Sequence, residues 1–584
     1  MFALVALVIT GVLARQIGNQ ALTWSDEASR YIFVWLTFIA AAIAIARDEH
    51  PRITAVARLL SASWCTRIER ALVLAYLSTF FVAGVMYSSS STGESAATLP
   101  LPMTLITSVA AIGAGLMLIF VSFKIGHERQ PLREFAWTFS FAAVAAAIGV
   151  SFTHASHINV LILMGVVFVL MLLIGVPLAF SLGIASLSAL LLIGSIPLQA
   201  AAEQTFAGIN APALVAIPLF MLTGAIMEFG GASKRIIAFA NVLVGRFAGG
   251  LFQVDLVSSA IFAGLSGSSV ADTAAIGNIM IPGMVRAGYD AEQAGAVQAA
   301  AGSLGVVFPP SIPMIIFGSV AGVSIAGLFL HSLIPGLLIL GAYALVAYAT
   351  ARKHRYTRLP APTWREAGTA LRDGLLALLA PVIVLGGVVG GLYTPVEAGA
   401  AAALYALVIC SVVYREFTWS TAWQAIETAC TTTSIVMLIV GSAVFSGWVL
   451  TYERLPQTVA VALGAFTSQP ILLLAILMVI FIVLHMFIDI SSAIIIAVPV
   501  FMPLIAAAHI SVFEFGILLM LNSAAGIVTP PVGLNLAIAA AIARIRIEQL
   551  FFPILPYWGA AVAVMALVLL VPDVITFLPH LFHK

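Results

Sequence analysis

Charged side chains are scarce in this 584-residue chain: Asp, Glu, Lys and Arg make up 8% of it, against about 25% in a soluble domain. Twenty-five basic and 24 acidic residues cannot cover a water-soluble globule of this length. Secreted, cytosolic and nucleic-acid-binding proteins are excluded on that ground. The net charge of +1 points to no partner of either sign. Cysteine is nearly missing, and Cys65, Cys410 and Cys430 stand far apart in apolar stretches. They make neither a disulfide framework nor a metal cluster. No G-x-x-x-x-G-K-[ST] segment occurs, so the chain carries no phosphate-binding loop of that kind. The ten histidines are dispersed, with no facing pair on one helix, which argues against a haem-bearing oxidoreductase subunit. Nothing suggests covalent catalysis, and the chain is not expected to be an enzyme. A basic segment before the first apolar run is missing too, so the N-terminus does not read as a cleaved signal peptide.

What is abundant is apolar length. Hydrophobic residues make up 62% of the chain, which reads as an all-α polytopic membrane protein embedded in lipid. The first apolar run, Phe2 to Ala14, is short for a span of about 20 residues. Lys and Arg in the loops set the orientation. Arg47, Arg52, Arg58, Arg67 and Arg70 follow the second apolar run, and Lys124, Arg129 and Arg133 follow the fourth. A third block holds Arg352, Lys353, Arg355, Arg358, Arg365 and Arg372. All three loops are expected on the cytoplasmic side, and so is the N-terminus. A further apolar helix over residues 135–152 crosses outward and leaves His154 and His157 outside.

Two long halves resemble each other at an offset of 221 residues. Pro282 matches Pro503, Gly295 matches Gly516, and Pro335 matches Pro556. Gly305, Val307, Pro309 and Pro310 match Gly526, Val528, Pro530 and Pro531. With a small indel upstream, Pro177-Leu178 aligns with Pro395-Val396. Inversion predicts that the loop near 507–514 lies outside and that near 543–547 inside. The first has no Lys or Arg, and the second has Arg544 and Arg546. The pattern is that of an inverted-repeat secondary transporter.

Each half contains two features that a plain transmembrane helix avoids. One is a polar interruption, Leu265 to Asp272 and Phe487 to Ser492, flanked by apolar limbs. It reads as a re-entrant helical hairpin. The other is a Pro-Pro break, Gly305 to Ser311 and Gly526 to Val532. Two prolines remove two N–H donors and free carbonyls one turn earlier. Such backbone survives at depth only where something satisfies it. Sodium suits that role, because unwound carbonyls are hard oxygen ligands, and nearby half-helix N-termini face anions. A single Pro-Pro is equally a kink, and Ser or Thr often pack helices together. Asp272 and Asp489 are intramembrane carboxylates, functional candidates by default. Capping of the hairpin also accounts for Asp272. For Glu397, after Pro395, capping explains the residue about as well as transport does.

These residues resemble a known family. The stretches Gly175 to Phe180, Ala216 to Phe220, Leu265 to Asp272 with Ile281-Pro282, Pro309 to Pro313, Tyr393 to Gly399 and Thr529 to Pro531 look like the large membrane subunit of tripartite ATP-independent periplasmic (TRAP) transporters. Trp24-Ser25-Asp26-Glu27-Ala28-Ser29-Arg30-Tyr31, followed by an apolar run and His50, resembles the small subunit. The two subunits read as fused. The resemblance implies an inverted-repeat elevator-type transporter, preceded by a four-helix small-subunit-like domain. The division expected is 1–133 for that domain, 134–157 for a connecting transmembrane helix, and 158–350 for the first inverted repeat. A cytoplasmic basic linker helix over 351–374 and the second repeat over 375–584 complete it.

The resemblance further implies sodium-coupled import of an organic acid, of sialic acid or C4-dicarboxylate type, across the bacterial inner membrane. The acid would be delivered by a periplasmic substrate-binding protein. Carried over by position, one sodium site uses oxygens of Ser266, Gly305, Phe308 and Pro310, and a second uses Gly526, Thr529 and Pro531. Asp489 serves a further ion or the substrate. Substrate candidates are Ser268, Ser269, Asp272, Ser491, Ser492 and Asn522, with Arg454 a weaker candidate for a carboxylate or for docking. The amphipathic stretch from Arg52 to Arg70 is expected at the bilayer surface, in contact with membrane lipids. The fused chain is expected to act as a monomer. The competing reading is a sodium/dicarboxylate carrier that needs no binding protein, but it leaves the N-terminal part without a use.

Overall fold

In lipid, apolar runs satisfy their backbone groups within helices. The computed structural model accordingly contains helices and no strand among its described residues. Described are all residues except 17, 19–21, 53–61, 127–158, 357, 359–361, 487, 531–532 and 583–584. Among them, 11 helices are long and apolar enough to cross a membrane. The chain is therefore a multi-pass membrane protein. Phe2–Gln16, with 15 residues, stays below that length. The connecting helix expected over 134–157 lies outside the described residues, as does most of the stretch between Arg52 and Ala62.

The chain divides into two compact units. The first comprises Met1–Val215, Cys430–Ala462 and Ile495–Phe501. It opens with four helices: Phe2–Gln16, Thr23–Ala46, Ala62–Ser90, and a fourth formed by Met103–Thr107 and Val109–Gly126. Close approach holds them together: a Cβ on Gly113 would lie 2.7 Å from Phe38 Cβ, and one on Gly84 would lie 2.7 Å from the Ala111 amide nitrogen. Glu27, buried, explains the polar Trp-Ser-Asp-Glu segment. Its carboxylate accepts from the amides of Ala97 (2.9 Å), Thr98 (2.7 Å) and Leu99 (3.1 Å), from the Thr98 hydroxyl, and from Tyr31 Oη at 2.7 Å. One carboxylate thus fixes the loop before the fourth helix.

The second unit comprises Ala216–Ala429, Leu463–Ile494 and Met502–Lys584. Ten helices, here labelled in chain order, make two sets of five, and all lie in this unit except for the middle of Ile490–Ala507. The first set is α1 Gly250–Ser266, α2 Ser269–Arg286, α3 Ala291–Val307, α4 Ile312–Ala321 and α5 Ile325–His354. The second is α6 Pro470–His485, α7 Ile490–Ala507, α8 Val512–Gly526, α9 Leu534–Ala543 and α10 Phe551–Leu570. α2 and α7 begin 221 residues apart and end 221 residues apart, and α3 and α8 begin at the same spacing. The matched prolines and glycines of the sequence therefore mark matched element boundaries.

The segment 351–374 departs from expectation. No single linker helix covers it. α5 ends at His354, Arg355 adopts a left-handed conformation (φ 57°), and a new helix runs from Trp364 to Val389. Pro360 and Pro362 cannot continue a helix without losing amide donors, and Thr363 and Glu366 form a capping box that starts the next one. The basic residues are thus shared between a helix end, a turn and a helix start.

Candidate functional site

The first expected hairpin is present, with α1 packed on α2, and its tip meets its own Pro-Pro break; in the second set α6 and α7 flank the polar interruption, and the end of α6 meets Gly526. In the first set, α1 turns into α2 at Gly267, whose φ of 63° favours glycine. The Gly267 carbonyl accepts from the Ile312 amide at 3.1 Å, and a Cβ on Gly267 would lie 2.8 Å from the Pro310 carbonyl oxygen. The tip is therefore seated on the break. Of the carbonyls freed by proline, that of Val306 is taken by the Ser311 hydroxyl at 2.7 Å. The Phe308 ring packs on Gly336.

Asp272 joins this cradle. It is fully buried, and its Oδ1 accepts from the Ser266 hydroxyl. Its Oδ2 has no hydrogen-bond partner among the described residues. A Cβ on Gly305 would lie 2.5 Å from that oxygen and 3.0 Å from the Ser269 amide nitrogen. The structure thus brings together Ser266, Asp272, Gly305 and Pro310. Asp272, expected among substrate residues, sits with the expected ion residues. Ser268 caps α2 through the Ala271 amide (3.4 Å).

The second set repeats the backbone with different side chains. Asp489 occupies the position of Ser268 and caps α7, its Oδ2 accepting from the amides of Ser491 (2.9 Å) and Ser492 (3.4 Å). The Ser492 hydroxyl is buried without a partner among the described residues. Gly526 packs against His485, the last residue of α6, as Gly305 packs against Asp272. Both imidazole nitrogens are engaged, Nδ1 with Asn522 Oδ1 at 3.1 Å and Nε2 with the Ser523 hydroxyl at 3.2 Å. Asn522 Nδ2 donates to the Met478 carbonyl at 2.7 Å. Asn522, expected to meet substrate, is thereby committed to holding the second hairpin. The Thr529 hydroxyl donates to the Ala525 carbonyl (2.8 Å) and accepts from Trp558 Nε1 (3.0 Å). Pro531 lies outside the described residues.

The first cradle holds a hydroxyl, a carboxylate and backbone carbonyls, and one carboxylate oxygen there has no hydrogen-bond partner among the described residues. That donor set suits a hard cation. Both hairpin tips and both breaks lie in the second unit.

Two family models match the chain. The Tripartite ATP-independent periplasmic transporter DctM component covers residues 164–574, and the DctQ component covers residues 4–125. The chain belongs to the TRAP transporter family. It carries both membrane components in one polypeptide. The isethionate TRAP transporter permease protein DctMQ of Oleidesulfovibrio alaskensis is 31% identical over 99% of this chain and 93% of its own length. The sialic acid TRAP transporter permease protein SiaT of Haemophilus influenzae is 29% identical over 99% and 97%. The 2,3-diketo-L-gulonate TRAP transporter large permease protein YiaN of Escherichia coli is 36% identical over 69% of this chain and 95% of its own.

Three residues of this TRAP transporter site escaped the sequence reading. His485 holds the second tip. Asn535, on α9, donates to the Ser269 hydroxyl at 2.8 Å and to the Ala299 carbonyl at 3.1 Å, tying the second set to the first hairpin. Ser523 completes the His485 pair. An apolar helix carrying one Asn or His was the available signal, because such a group needs a partner. Glu397 forms a capping box with Thr394, accepting from its amide at 2.8 Å. Arg454 sits at an exposed left-handed turn of the first unit (φ 58°).

Proposed function

We propose that this TRAP transporter imports an organic acid across the bacterial inner membrane by sodium symport, taking it from a periplasmic substrate-binding protein. The observation that carries the reading is the first cradle, where Asp272 keeps a buried oxygen beside Gly305 with no hydrogen-bond partner among the described residues. A buried carboxylate without a counter-charge is costly, and a cation at that place offsets the cost. Ser266, Asp272 and the carbonyls of Gly305, Phe308 and Pro310 would hold one sodium ion. Thr529 with the carbonyls near Gly526 and Pro531 would hold another. The N-terminal ends of α2 and α7, with Ser269, Ser491 and Ser492, offer amides and hydroxyls to an anionic substrate. The named relatives handle isethionate, sialic acid and 2,3-diketo-L-gulonate, all organic anions.

Two sodium ions with one monoanion carry a net charge of +1. Crossing 100 mV then gains about 2.3 kcal/mol, close to a fiftyfold accumulation before the sodium gradient is counted. The hairpins and half-helices would move as an elevator, with the N-terminus cytoplasmic as the loop arginines direct. The test is uptake of radiolabelled acid into proteoliposomes under an inward sodium gradient, with and without the cognate binding protein. Uptake that needs both supports the reading. Sodium-driven uptake without the binding protein favours a simpler carrier. Uptake indifferent to sodium, in folded protein, overturns the ion sites.

A further inference from the structure

A second buried carboxylate lies on the first hairpin, well away from its tip. Asp255 is fully buried in α1, and neither of its oxygens has a hydrogen-bond partner among the described residues. Ser258 and Ser259 follow one turn later on the same helix face. Both are fully buried, and both hydroxyls lack a partner. Tyr557 of α10 is also buried, and its hydroxyl has no hydrogen-bond partner among the described residues. Its ring meets Tyr343 of α5 edge-on at 5.9 Å, and the Tyr343 hydroxyl pairs with Ser303 of α3 at 3.2 Å. A polar seam is thus formed by α1 with α3 and α5, which pack against it, and Asp255 is the acid among these groups.

No basic side chain neutralises that acid. The charged and titratable groups on the helices packed against α1 include Glu228, Lys234, Arg235, Asp272, Arg286 and Glu292, with His331, Arg352, Lys353 and His354 on α5 and Arg365, Glu366, Arg372 and Asp373 on Trp364–Val389. Among the described residues, none of them hydrogen-bonds to Asp255. An isolated ionised carboxylate in such a place costs so much that the group takes up a positive charge instead. A metal cation would need several oxygen ligands. Here α1 is unbroken from Gly250 to Ser266, so its carbonyls are consumed by the helix. That contrasts with the Pro-Pro breaks, where carbonyls are freed. A proton needs no such shell.

We propose that Asp255 is a proton-binding site of the transporter, holding a neutral carboxylic acid while α1 is packed and releasing its proton to water when the seam opens. The O–H bond of the acid breaks, the electron pair stays on the carboxylate, and the proton passes to solvent. Opening of the first hairpin region is thereby linked to pH, independently of sodium at the tips. Ser258 and Ser259 offer hydroxyls that solvate the carboxylate once water enters.

The test is infrared spectroscopy of the purified full chain in D2O, as the difference between the protein and its Asp255→Asn variant at neutral pH. The expected result is the loss of one protonated-carboxyl C=O band in the variant, with no change when sodium is added. Loss of carboxylate bands instead shows an ionised Asp255 and overturns the proposal. A band that converts to carboxylate on adding sodium also overturns it, assigning the site to sodium. Asp255→Glu covers the case in which the Asn variant does not fold: the band should shift rather than vanish, and an unshifted band refutes the assignment. In proteoliposomes, Asp255→Asn should retain sodium-driven uptake with a flattened pH profile. An unaltered pH profile counts against the coupling.

Discussion

Gly305→Ala tests the first cradle with one methyl group. The new Cβ would stand 2.5 Å from Asp272 Oδ2 and 3.0 Å from the Ser269 amide nitrogen. The amide belongs to the first turn of α2, so it cannot rotate away. The carboxylate is held by Ser266 on one oxygen and is fully buried. Either α3 backs away from the hairpin tip or Asp272 leaves its position. Overpacking of this kind costs about 1–3 kcal/mol. If that cost falls on the ion-bound form, apparent sodium affinity drops about 5- to 150-fold. The control is Gly341→Ala on α5, where a Cβ meets nothing within 4 Å. There alanine should be neutral, or stabilising by up to about 1 kcal/mol through helix propensity. The assay is the sodium dependence of uptake, together with sodium-induced thermal stabilisation of each purified variant. Gly305→Ala with the sodium response of Gly341→Ala would refute the reasoning, because the contact of Gly305 with Asp272 would then be irrelevant to the ion.

Asp489→Ala removes the cap of α7 and should cost about 0.5–2 kcal/mol, whereas Asp489→Asn should keep thermal stability and lose uptake; equal uptake by Asn variant and parent would reduce Asp489 to a cap. Thr529→Ala strips the acceptor from Trp558 Nε1, so melting should show a loss of about 1–3 kcal/mol that Thr529→Ser restores. His50, outside the spanning helices, is driven by burial from 6.5 to about 4. The unfolded chain therefore takes up the proton first, and stability should fall as pH drops from about 6.5 towards 4. His50→Phe, beside Phe180, should show a shallower fall between pH 7.5 and 5 in thermal inactivation, and an identical fall would exclude His50 as the cause.

The parts of the site that were legible are those where backbone chemistry shows in the letters. Gly267, Gly305, Gly526 and the paired prolines stand in apolar runs, where proline frees carbonyls and glycine admits close contact. Those demands recur in both halves, so the repeat was visible too. What the letters did not carry is partnership. Asn535 and Ser269 are separated by 266 positions, and nothing local says which buried polar group finds which. For the same reason the letters did not show that Asp272, expected among substrate residues, is enclosed by Gly305 and Ser266, or that Asn522 is bonded to His485 and the Met478 carbonyl. The basic block over 351–374 misled differently, since its charge count hid the effect of Pro360 and Pro362 on helix continuity.

Backbone likeness and side-chain unlikeness between the two sets bear on how the site can move. In each set the glycine that opens the break packs on the facing segment, but Gly305 meets a carboxylate and Gly526 an imidazole with both nitrogens spent. The sets are nonetheless interlocked. α9 reaches α2 and α3 through Asn535, bonded to Ser269 and to the Ala299 carbonyl. α4 is pressed on α8, where Phe317 lies against Gly516 and meets Phe515 at 6.0 Å between ring centroids. The half-helix after each break is thus packed on the opposite set. One cradle cannot shift by an ångström without dragging the half-helix that finishes the other, because packed interiors resist continuous deformation. Two independent gates would need a loose seam at Asn535 and at Phe317, and both places are buried and tightly packed. Movement of both cradles as one body is what this packing permits.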